Sequence, residues 1–131
     1  MPLDVDIEGP GRLRVRASGE VTFVEIEQTQ KTLLAHEGLR PGADLIVEAN
    51  EVSAVPSAGE LRQAASLLAI LRSRGLGATA FVTDNPLVFG VARMFGVFAE
   101  ALGASVQVFR VGDEAREWLE DQRRDLIAPE T

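Results

Sequence analysis

Residues 3–8 and 12–18 alternate apolar and polar side chains one by one. Leu3, Val5 and Ile7 oppose Asp4, Asp6 and Glu8, and Leu13, Val15 and Ala17 oppose Arg12, Arg14 and Arg16. A period of two marks a half-buried strand, and Gly9-Pro10-Gly11 between the runs supplies a turn. Pairing Glu8 with Arg12 across a three-residue loop sets Asp6 against Arg14, Asp4 against Arg16, Ile7 against Leu13 and Val5 against Val15. Charge and burial thus select one antiparallel register, in which the Arg row neutralises acidic cross-strand neighbours.

From Val21 the period changes to that of a helix. Thr22 and Glu25 have capping-box spacing with Val21 and Ile26 as the flanking apolar pair, which predicts a first helix from Phe23 to Gly38, with His36 serving its C-terminal carbonyls. Arg40-Pro41-Gly42 turns the chain into a third strand at about 44–51. Ser57 and Glu60 form a second capping box that opens a helix from Ala58 to Arg74, closed by Gly75 at the position a left-handed glycine favours. A strand over Gly77–Thr83, a helix opened by Asn85 with Pro86 and running to Leu102, a stop at Gly103, a strand over Ser105–Arg110 and a helix at about 113–121 complete the pattern. Residues 1–122 read as one domain. Arg123–Thr131 lack periodicity and are expected to form a frayed tail.

The order β-β-α-β-α-β-α-β-α predicts an α/β fold: a mostly parallel mixed sheet with an N-terminal antiparallel hairpin. Because the third strand alternates Leu45, Val47 and Ala49 with Ile46, Glu48 and Asn50, one sheet face is partly polar, so the helices are expected mainly on the other. With 131 residues the chain can bury about two-thirds of its unfolded surface and needs no staple. It has no Cys and one His, which removes disulfides, thiolate metal sites and multi-histidine zinc sites. A net charge of −7 and dispersed arginines argue against nucleic acid. No run of about 18 apolar residues suggests a membrane span and the first residues do not resemble a leader, so a cytoplasmic protein is expected.

The element order, with Pro56-Ser57-Ala58-Gly59-Glu60 after the third strand, resembles the STAS fold of anti-sigma-factor antagonists. It resembles in particular the SpoIIAA-like group, which shares its fold with CRAL-TRIO lipid-binding domains. The segment Thr83-Asp84-Asn85-Pro86-Leu87-Val88-Phe89-Gly90-Val91-Ala92-Arg93-Met94-Phe95 is similar to that group as well, and the resemblance covers roughly residues 3–120. In the antagonists an Asp-Ser-Ser-Gly sequence follows the third strand and its second serine is phosphorylated by a partner kinase to break a complex. The resemblance places Ala58 at the acceptor position and Pro56 at the Asp position, leaving Ser57, one residue earlier, as the substitute. Ser57 with Glu60 is fully accounted for as a helix cap.

Enzyme chemistry needs a nucleophile with a base, a carboxylate pair, a metal set or a phosphate-cradling loop, and the sequence supplies none. Gly75-Leu76-Gly77 ends a helix instead of opening one, the reverse of a dinucleotide fingerprint. Glu48 and Asn50, with Asp84 and Asn85 at the end of the fourth strand, are the candidate polar pocket. The third helix fills a core stripe with Val88, Val91, Ala92, Phe95, Phe98, Ala99 and Leu102, which leaves Phe89, Arg93, Met94 and Val97, with Ile70 on the second helix, as a candidate interaction surface. The resulting expectation is a non-enzymatic regulatory or protein-interaction module, homodimeric or with a protein partner, requiring no cofactor and no metal. The alternatives are a carrier or sensor of a small apolar ligand or lipid, and an enzyme of another type.

Overall fold

The computed structural model describes residues 3–127. The first two strands, β1 (Leu3–Gly9) and β2 (Arg12–Glu20), pair as the alternation requires, with Val5 opposite Val15, Asp6 opposite Arg14 and Asp4 opposite Arg16. The turn end differs from expectation. Gly9, not Glu8, faces Arg12, so Glu8 is the extra residue of a bulge and the loop shortens to Pro10-Gly11, with Gly11 at φ +72°. The bulge re-aims a side chain. Glu8 contacts Arg12 at 3.6 Å and is held by Arg116 from a distant helix. Ile7, expected to face the core, is half exposed on this edge strand.

Beyond the hairpin follow α1 (Phe23–Ala35), β3 (Asp44–Ala54), α2 (Ala58–Ser73), β4 (Thr79–Val82), α3 (Pro86–Glu100), β5 (Val106–Phe109) and α4 (Gly112–Ile127). The five strands lie in the order β1-β2-β3-β4-β5, antiparallel for β1 with β2 and parallel elsewhere. When every crossover steps the same way across a sheet, the right-handed rule puts every crossover helix on one face. α1, α2 and α3 accordingly share a core with Leu13, Val15 and Leu45, built around Leu33, Leu61, Leu68, Leu71, Phe95 and Ala99. Gly96 allows the close approach of α3 to β5, since a Cβ there would meet Val106 at 3.2 Å. Gly75, at φ +112°, closes α2 against Pro41 and accepts a 3.0 Å hydrogen bond from Gly42 N–H.

α4 is not a crossover helix and takes the opposite face, packing Ala115 and Leu119 on Ile46, Ala80 and Val82, with Trp118 against Phe109. The remainder of that face carries the charged ladder. The helix runs to Ile127, six residues past its expected end, so Arg123 and its neighbours are helical and not frayed, while residues 128–131 of the expected tail lie outside the described residues. The cause is pairing. Arg116, Glu120 and Arg123 fall on one helical stripe and reach Glu8, Arg12 and Asp44 respectively, Arg123 to Asp44 at 2.8 Å and Glu120 to Arg12 at 3.0 Å. Asp44 is only 3% exposed and also receives Arg12 Nε at 2.8 Å. A buried carboxylate with two guanidinium partners fixes the helix end by charge-assisted hydrogen bonds.

Among the described residues no helix is long and apolar enough to cross a membrane.

Candidate functional site

The junction between β3 and α2 is built from local signals. β3 leaves the sheet at Ala54, whose carbonyl accepts Val21 N–H at 2.9 Å, and Pro56 continues the chain towards Ser57 in extended geometry. Ser57 then caps α2. Glu60 N–H donates to Ser57 Oγ at 3.3 Å, while Ser57 N–H and Oγ–H donate to Glu60 Oε1, each at 3.0 Å. Ser57, Ala58, Gly59 and Glu60 are all exposed. The result is a fixed, outward polar turn at the carboxyl ends of the parallel strands, the end where α/β sheets usually present their recognition loops. The hydroxyl of Ser57 is committed to a carboxylate. A phosphate added there would sit beside that carboxylate, whose repulsion opposes the attraction of the helix N-terminus for anions.

Three of the four residues of the expected polar pocket meet at the ends of β3 and β4, and the fourth stands in the charged ladder. Asn50 Oδ1 accepts Asp84 N–H at 2.9 Å, tying the ends of β3 and β4 together. Asn85 turns inward as the cap of α3, accepting Leu87 N–H at 2.9 Å and Val88 N–H at 3.4 Å. Thr83, fully buried, links the same ends by donating to Ala49 O at 3.0 Å and accepting Asn85 N–H at 3.2 Å. Glu48 lies elsewhere, 3.9 Å from Arg14 and 4.0 Å from Arg16 in the charged ladder. Asn50 and Asn85 thus serve backbone amides, while Glu48 lies against arginines with its buried Oε1 making no hydrogen bond.

The expected interaction surface is also divided. Phe89 is half-buried beneath Arg110, whose guanidinium carbon is 4.3 Å from the ring centroid, and Met94 packs against the core. Arg93 is exposed, Val97 is 67% exposed, and Ile70 on α2 is 44% exposed. Phe98, placed in the core stripe, lies under Arg62 of α2 at 4.7 Å, and Leu102 lies outside the helix and is exposed. His36 caps α1 in a way the sequence did not suggest: its Nδ1 accepts Gly38 N–H at 2.9 Å instead of donating to carbonyls.

Sequence reasoning missed an apolar space beneath the helices. An apolar cavity of about 150 Å³ lies between the sheet and α1 to α3, lined among others by Val47 and Ala49 of β3, Leu68 of α2, Ala92 of α3, and Val55 and Pro56 just before Ser57. Gln30 of α1 also lines it. Its Nε2 donates to Ala64 O at 3.1 Å, and its buried Oε1 has no hydrogen-bond partner. A readable signal existed, because Ile26, Gln30 and Leu33 share helical spacing and the middle one is polar. Among the described residues no three His, Asp or Glu side chains are arranged to hold a metal ion.

Residues 12–120 match the sequence model of a family described as SpoIIAA-like. No curated protein matches the chain. Solved structures share its fold. A protein of the DUF3478 family with a SpoIIAA-like fold from Shewanella loihica PV-4 is 19% identical with a TM-score of 0.61, the match covering 89% of this chain and 93% of the other. The Bacillus cell fate determinant SpoIIAA, in its phosphorylated form, is 16% identical with a TM-score of 0.50, covering 89% of this chain and 98% of its own.

Proposed function

Because the chain belongs to the SpoIIAA-like family, we propose that it is a non-enzymatic regulatory module that binds another protein through the exposed first turn of α2. The observation that carries this reading is the outward turn Ser57–Glu60, held in one conformation by a reciprocal capping box at the carboxyl ends of the strands. A turn fixed before binding loses little entropy on association. The solved SpoIIAA is phosphorylated. Here Ala58, at the position the resemblance gives to the acceptor, has no hydroxyl, and Ser57 is bonded to Glu60. Recognition by this chain therefore does not run through a phosphoserine at that position.

The non-enzymatic reading is supported by the use of each candidate group: Ser57 in the cap, Asn50 and Asn85 on backbone amides, and His36 on Gly38 N–H at the end of α1. The lipid-carrier alternative is disfavoured by size, since the cavity is of single-ring dimensions, not those of an acyl chain.

The test places a photo-crosslinking residue at Ala58, or at Glu117 on α4 as a control, in the cells that make the protein. A discrete protein adduct from position 58, absent from position 117 and lost in Gly59→Arg, is the expected outcome. A Cβ at Gly59 meets nothing within 4 Å, so that variant alters the surface and leaves the fold. Equal adducts from both positions, or adducts indifferent to Gly59→Arg, would remove α2 as the recognition edge.

A further inference from the structure

We infer that the outer face of α3 takes a second copy of this chain, the two α3 helices packing antiparallel about a twofold axis beside Val97. The surface is separate from the first turn of α2 and does not depend on the protein-binding reading above. α3 buries Val88, Ala92, Phe95 and Ala99 on its inner side. Gly90, Arg93, Val97 and Glu100 lie opposite and are all exposed, Val97 at 67%. Their spacing of three, four and three keeps them on one stripe, the arrangement of a two-helix seam. Gly90 is an independent sign of close approach. Apart from proline, glycine is the poorest helix former, and a Cβ at Gly90 would meet nothing within 4 Å, so packing inside the chain gives no reason for it. A backbone approaching from outside does. In the antiparallel register derived next, Gly90 of one copy faces the turn that ends α3 of the other.

The charges choose the occupant. Arg93 and Glu100 stand about 10 Å apart along the helix, too far to meet each other, and among the described residues neither joins an ion pair. Val97 lies next to their midpoint. A twofold axis there reverses the helix and exchanges the two positions, so Arg93 of each copy meets Glu100 of the other and the two Val97 side chains meet at the axis. Seven residues are close to two full turns, which puts Arg93 and Glu100 on the same flank of the seam. The twofold keeps that flank in register, and both pairs form together. A polyanion or an anionic surface would instead attract Arg93 and repel Glu100. Complementary charges fix partner and register more than affinity, and one helix face supplies little apolar area, so the dimer is weak and concentration-dependent.

Sedimentation equilibrium of the full-length protein, from micromolar to millimolar concentration at low salt, reads the association. A monomer–dimer equilibrium is expected for the native chain. Arg93→Glu alone and Glu100→Arg alone each set like charges against one another at both contacts, and each should weaken self-association at least tenfold, as should Val97→Asp at the axis. An equimolar mixture of the Arg93→Glu and Glu100→Arg chains pairs opposite charges at both contacts again. It should form a heterodimer at least tenfold tighter than either variant forms with itself, a recovery that also shows both variants to be folded. The inference fails if the native chain stays monomeric throughout, if either charge reversal or Val97→Asp leaves association unchanged, or if the mixture associates no better than its components.

Discussion

Ser57 shows how one side chain can look like a switch and behave as a fastener. Its hydroxyl both accepts Glu60 N–H and donates to Glu60 Oε1, so replacements separate the two roles. Ser57→Ala loses the acceptor and should cost about 1 kcal/mol by urea unfolding. Ser57→Asn keeps an acceptor and should stay within a few tenths of a kcal/mol of the native chain. Ser57→Asp is a good cap in isolation but here brings a second carboxylate to the Glu60 oxygen. It should therefore be less stable than Ser57→Asn at neutral pH, and Glu60→Gln should erase the difference. Equal stability of the Asp and Asn variants would show that Glu60 swings clear. The capping boxes at Thr22 and Ser57 were readable in the sequence because both partners lie within four residues. The orphaned oxygen of Gln30 was not, since its environment is set by α2, 34 residues away.

At the level of elements, α4 was the least legible, and the reason is electrostatic. Read alone, Arg116, Glu120 and Arg123 are a solvated charged face; in the fold they meet Glu8, Arg12 and Asp44. Arg123→Met should therefore destabilise by about 1.5–3 kcal/mol, the scale of a hydrogen bond to a charged group, measured by urea unfolding; a frayed end would show no change. The same network sets an acid response. For Glu8, burial raises the carboxyl pKa, but the hydrogen bond from Arg116 and the charges of Arg116, Arg12 and Arg14 outweigh it and hold the group below its ordinary range. Asp6 is lowered chiefly by its hydrogen bond from Arg14. A carboxylate lowered in the folded state stabilises fully above its unfolded pKa and loses that contribution as pH falls through the folded value. Stability should thus decline below about pH 4–5, less steeply in Glu8→Gln. The hairpin, by contrast, was legible in all but its bulge, because alternation and cross-strand charge specify one register.

For the whole molecule, the alternation along β3 was enough to expect the helices mainly on one face, and the strand order β1-β2-β3-β4-β5 with the right-handed rule accounts for the three that lie there. They could not say how well those helices fill the space, which depends on the sum of side-chain volumes across α1, β3, α2 and α3. That unfilled volume has a mechanical consequence. An apolar space of about 150 Å³ lies between the sheet and its helices, and the volume decrease on unfolding, ~20–100 mL/mol for proteins in general, scales with such unfilled space. Water enters the space when the chain opens, so hydrostatic pressure should unfold this domain with a steep slope. Ala92→Leu, which puts a larger side chain at the lining, should flatten the slope whatever it does to stability at ambient pressure. High-pressure fluorescence of Trp118 reads the volume change directly; a slope indifferent to Ala92→Leu would mean that the space already closes in solution.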